Sequence, residues 1–181
     1  MPDRKPLPPI WLMGLTNGTF GLIGGFAVVT LPEMLAAQGV PGGRIAAIVA
    51  AVLSPGFWVF AISPMLDVRF SRRRYALCLA MLTAAAVAFT ATHPRPAGRA
   101  EAVMIAGYTF ASLYQGAVGG WMGSLIGKEQ NGSLGAWFTV GNTGAGGIMM
   151  LTASEIIRKL PPVAAGSLLA AMVLALSLIH I

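Results

Sequence analysis

The stretch "SPMLDVRFSRRRY", residues 63–75, sets one acid and four arginines between two long apolar runs. Charge packed so tightly between such neighbours reads as the turn joining two membrane-spanning helices. Composition says why. Of the 181 residues, 56% are hydrophobic and only 10% are charged, and the mean hydropathy is +0.74. A soluble domain carries about 25% charged residues. The charge here is too sparse to cover a wet surface, so most of the exterior must face lipid.

A bilayer core of about 30 Å needs roughly 20 apolar residues as helix. Six stretches meet that need, about 10–31, 44–66, 75–92, 102–126, 134–156 and 162–179. QGVPGGR, DVRFSRRR, THPRPAGRAE, GKEQNGS and RKLPP separate them. Breaks this short make successive helices antiparallel neighbours. No segment alternates apolar and polar residues as barrel strands do. The expected fold is an all-α membrane protein of six transmembrane helices (10–179), preceded by a cytoplasmic tail over 1–9. The start, MPDRKPLPPI, leads into an apolar run without a small-residue cleavage site, so no cleavable signal peptide is expected.

With the N-terminus inside, the inner segments hold Arg4, Lys5, Arg69, Arg72, Arg73, Arg74 and Lys128. The outer segments hold Arg44, Arg95, Arg99, Arg158 and Lys159. Four of the inner seven share one short loop, where basic residues orient a chain most strongly. Both termini are therefore expected in the cytoplasm and the protein in the cell (inner) membrane. The net charge of +6 and pI near 10.3 then belong to loops facing anionic lipid, and nucleic acid is not an expected partner. Cys78 is the single cysteine, and His93 and His180 are the two histidines. No disulfide, metal site or cofactor is expected from so few ligands.

Glycine occurs 23 times, mostly within the spans. Gly14/Gly18, Gly21/Gly25, Gly116/Gly120, Gly119/Gly123 and Gly123/Gly127 are spaced as GxxxG, which lets helix backbones approach closely in lipid. Pro32, Pro55 and Pro64 add bends, and Pro55 frees a carbonyl in mid-span. "FGLIGGF" (20–26) in the first span echoes "QGAVGGW" (115–121) in the fourth. An inverted 3+3 repeat would leave such an echo, and it would make spans one and four a symmetric pair lining a central path.

Asp67 at the apolar boundary needs a basic partner or a helix N-terminus, because an unpaired charge at that depth is costly. Together with the basic run, it resembles the loop between helices two and three of the major facilitator superfamily, roughly G-x-x-x-D-R-x-G-R-R. Ser63, Val68 and Phe70 stand where that pattern has Gly, Arg and Gly. "LPEMLAAQG" (31–39) and "SPMLD" (63–67) are similar to motifs of its muropeptide permease and acetyl-coenzyme A transporter branch. Phe60 stands where that branch often has Lys. "GKEQNGSLGAWFTVGNTGAGG" (127–147) looks like the loop and Gly-rich fifth helix of such transporters. The resemblance implies the N-terminal half of a twelve-helix secondary transporter working by alternating access. It implies a gating turn of Asp67, Arg69, Arg72, Arg73 and Arg74, with the acid contacting a second six-helix half and the arginines tying it down. A small molecule would bind near the midplane between the halves.

Asn17, Thr19, Tyr114, Gln115 and Asn142 interrupt apolar runs. Such groups either bond between helices, the commoner outcome for any one of them, or line a watery cavity. Asn17 and Gln115, on the symmetric pair, lead the cavity candidates. Glu33 and Glu155, near outer ends, read as interfacial rather than proton-carrying. An intramembrane hydrolase using Ser124 in "GGWMGSLIG" lacks both G-x-S-x-G and a placed base. A non-catalytic six-helix homodimer is the other alternative. The final "LSLIHI" (176–181) resembles the translation of a sequencing-library adapter end and is set aside from functional reading. The native chain is then expected to run to about twelve spans.

Overall fold

The computed structural model describes residues 7–68 and 70–178. The chain is 85% helical and contains no strand among the described residues, which leaves no barrel there. Arg4, Lys5 and Arg69, most of the 1–9 tail and residues 179–181 lie outside the described residues.

Six helical rods follow one another: α1 (Ile10–Ala36), α2 (Gly42–Ala61), α3 (Arg72–Thr92), α4 (Ala97–Gly123), α5 (Asn131–Lys159) and α6 (Pro162–Leu178). Three of them, α1, α2 and α3, are long and apolar enough to cross a membrane. The sequence leads one to expect six such spans. The difference lies in composition and length: α4 matches α1 in length and α5 exceeds it, but both are diluted by glycines and polar side chains, and α6 is apolar over only 17 residues.

The rods start and stop where local chemistry directs. Gly39, at φ +78°, ends α1 in the left-handed conformation that glycine adopts without a Cβ penalty. Pro162 begins α6, where its missing N–H costs nothing. Ser71 caps α3 by accepting from the Arg74 N–H at 3.4 Å, so α3 starts inside the arginine run rather than after it. Two rods are interrupted. Pro55 withholds an N–H from the Ala51 carbonyl, and Ser54 replaces it with its own N–H at 3.2 Å and its hydroxyl at 2.8 Å. In α1, a break at Thr16–Asn17 is followed by a π-helical turn over Phe26–Thr30, closed by the Leu31 N–H on the Phe26 carbonyl.

Packing follows glycine. Along α1, Gly14, Gly18, Gly21 and Gly25 face Trp137, Gly141 and Ala145, Asn142, and Gly146 of α5 in turn, so the two rods run parallel. A Cβ on Gly21 or Gly25 would strike the backbone carbonyl of Asn142 or Gly146, and one on Gly141 would lie 2.7 Å from the Gly14 carbonyl. Two expected GxxxG pairs are not such seams. Gly123 has nothing within 4 Å, and Gly127 lies beyond the end of α4 against the Glu129 carboxylate. Elsewhere α3 packs on both α4 and α6, α2 lies along α4, and α1 also touches α4 and α6. Gly107 meets Ala86, and Gly166 meets Thr92 and Ala88, at the α3 contacts. Two buried clusters result, one around Phe26, Leu31, Val87 and Met104 and one around Met13, Leu79, Tyr114 and Met122.

Candidate functional site

The charged turn forms one end of the bundle. Ser63–Asp67 is a 3-10 segment after α2, and Asp67 meets Arg72, the first residue of α3. The Arg72 Nη2 donates to Asp67 Oδ1 at 2.5 Å and its Nε donates to the same oxygen at 3.0 Å. The side chains are 62% and 37% exposed, so the pair adds at most about 1 kcal/mol to stability. The acid thus has a partner within its own turn, where the resemblance points to a second half. Arg72 also lies across Gly120 of α4, where a Cβ would collide with its guanidinium. Arg73 stands 5.9 Å from the Trp121 ring, and the Tyr75 hydroxyl donates to the Val68 carbonyl at 2.6 Å. Arg74 contributes its backbone N–H to the Ser71 cap. A recess of about 260 Å³ opens here among Ser63, Pro64, Leu66, Asp67, Arg72 and Gly116. Of the four expected arginines, Arg72 is brought onto Asp67, and Arg69 lies outside the described residues.

The polar residues within the helices divide in two. Asn17, Thr19 and Tyr114 are buried and tie helices together. Asn17 Nδ2 donates to the Phe138 carbonyl at 3.1 Å, Thr19 Oγ1 to the Val173 carbonyl at 3.2 Å, and the Tyr114 hydroxyl to the Thr16 carbonyl at 3.0 Å. The Thr16 carbonyl lies at the α1 break, where the Thr19 N–H reaches it only at 3.4 Å, and Tyr114 adds the shorter bond. Asn17 Oδ1 is buried without a partner among the described residues. Gln115 is half-buried and makes no hydrogen bond among the described residues.

Asn142 belongs to a different setting. It lines a groove of about 430 Å³ bounded by α1, α2, α4 and α5, together with Phe20, Leu53, Tyr108, Thr143 and Met150. Phe20 and Tyr108 pack ring to ring at 5.3 Å across its floor. Tyr108 and Thr143 escaped the sequence reading. Spacing held the signal for Tyr108, which stands seven residues before Gln115 and so shares its face of α4.

At the opposite end Arg44 pairs with Glu101, joining the starts of α2 and α4. Ser154 of α5 donates to the Glu33 carboxylate of α1. No group of three or more metal-ligating His, Cys, Asp or Glu side chains occurs among the described residues. Comparison with protein-family models, curated proteins and solved structures returns no match for this chain.

Proposed function

We propose that the chain is a six-span half of a membrane carrier that moves a small solute by alternating access, with its N-terminus in the cytoplasm. One observation carries the reading, namely which rods are neighbours. Exchanging α1 with α4, α2 with α5 and α3 with α6 turns the α1–α5 contact into α4–α2 and the α3–α4 contact into α6–α1. The α3–α6 and α1–α4 contacts map onto themselves. These four pairings support an inverted 3+3 repeat, which would have such neighbours. The two echoing segments fit it in part: Gly21 abuts α5, and a Cβ on Gly116 would lie 3.4 Å from Leu66 just beyond α2. The α1, α2, α4 and α5 wall holds the Asn142 groove, and on this reading it faces a second six-helix unit across the solute path. The superfamily resemblance of the charged turn supports the same assignment.

The test asks whether the groove is wet. Asn142→Cys and Tyr108→Cys, in a chain with Cys78 replaced, should react with a membrane-impermeant thiol reagent in permeabilised cells. A groove closed by lipid would leave both unlabelled and overturn the reading. Saturable counterflow of peptidoglycan fragments, sugars or peptides by the purified chain alone would overturn the half-carrier assignment.

A further inference from the structure

A second cavity, of about 240 Å³, lies between α1 and α5 at the end of the bundle remote from the charged turn, and its polar lining is Thr30, Glu33, Ser154 and Arg158. Thr30 is fully buried, yet its Oγ1 has no partner among the described residues. Glu33 stands three residues on, hence on the same helix face, and accepts from Ser154 of α5. No basic group pairs with Glu33 among the described residues. The one cation on the cavity rim, Arg158, is drawn to Glu155, which Lys159 also contacts at 3.0 Å. The backbone behind the site is irregular as well. The π turn ends at Thr30, and Pro32 withholds an N–H from the carbonyls of that turn.

We propose that Thr30, Glu33 and Ser154 form a sodium site. Its donors are all hard oxygens, the set that suits a hard cation rather than a transition metal. A single carboxylate balances a single positive charge, and three side chains supply too few oxygens for the six to eight that Ca²⁺ takes. Ser154 can donate its O–H in a hydrogen bond to Glu33 and still offer a lone pair to the ion. Irregular stretches of membrane helices are where coupling ions such as Na⁺ bind in secondary transporters. Binding stands apart from the carrier reading; only its use as a coupling ion rests on that reading.

The experiment measures binding directly, on the purified chain, without uptake. ²²Na⁺ binding and thermal stability are followed as NaCl replaces choline chloride at constant ionic strength. Saturable binding and a matching rise in melting temperature are expected. Glu33→Gln and Thr30→Val should each weaken Na⁺ by about tenfold or more, while Thr30→Ser and the remote Glu129→Gln should retain it. Should Glu33→Gln fail to fold, Thr30→Val against Thr30→Ser carries the test, since each keeps the site's shape nearly intact. A response to pH but not to Na⁺, or equal binding by Thr30→Val and Thr30→Ser, would overturn the proposal.

Discussion

Gly120 connects the charged turn to α4, because a methyl group there would displace the Arg72 guanidinium. Gly120→Ala should therefore break the Asp67–Arg72 bonds while leaving every charge in place, and Asp67→Asn breaks them by removing the acceptor. The pair is too exposed for either change to cost more than about 1 kcal/mol of stability. On the carrier reading both variants insert normally and both depress transport in the assembled protein. Uptake normalised to membrane-embedded protein measures this. Unchanged uptake in both would leave the turn with a topological role alone. The charge of this turn was legible in the sequence, but the choice of Arg72 over its neighbours was not. It follows from where α3 begins, which Ser71 decides. Likewise Asn17 and Tyr114 were legible as buried polar groups. Their acceptors depend on the Thr16–Asn17 break and on α5 lying beside α1, which no local pattern states.

Among the helices, the α1–α5 seam makes the sharpest demand on sequence. Gly21→Ala and Gly25→Ala push a methyl group against a backbone carbonyl that cannot swing aside. Each should destabilise by about 1–3 kcal/mol, as overpacking does. Gly24→Ala, with nothing within 4 Å of its Cβ, should be neutral or stabilise by up to about 1 kcal/mol through helix propensity. Melting curves of the three variants in detergent separate these outcomes, and equal losses at Gly24 and Gly25 would refute the seam. The GxxxG spacing announced Gly14, Gly18, Gly21 and Gly25 correctly. The same spacing at Gly123/Gly127 meant nothing, because the second glycine lies past the helix end. Spacing alone does not say where a helix stops. Composition limits the reading of α4 and α5 in another way: Gly107, Gly141 and Gly146 serve packing, and these and their other glycines lower the apolarity by which a span is recognised.

For the molecule as a whole, the rods alternate in direction, so the basic residues sort to two ends. Arg72, Arg73, Arg74 and Lys128 gather at one, and Arg44, Arg95, Arg99, Arg158 and Lys159 at the other. With Cys78 replaced, Ala97→Cys should react with an impermeant thiol reagent on intact cells and Ser71→Cys should not. The reverse pattern would invert the molecule. Apolar composition made a membrane fold legible at once, and the turns set the order of rods. Which rods touch was not legible, since parallel partners are never consecutive in an alternating chain. The α1–α5 seam has a consequence in time. Phe138, whose carbonyl receives the Asn17 amide, lies 121 residues further along the chain. At about 5–20 residues per second of synthesis, α1 waits roughly 6–24 s for α5. Throughout that interval its bare glycine face and the Asn17 amide must be sheltered by something other than their final neighbour. Until α5 is made, that face must lie against lipid, an earlier helix or the insertion machinery.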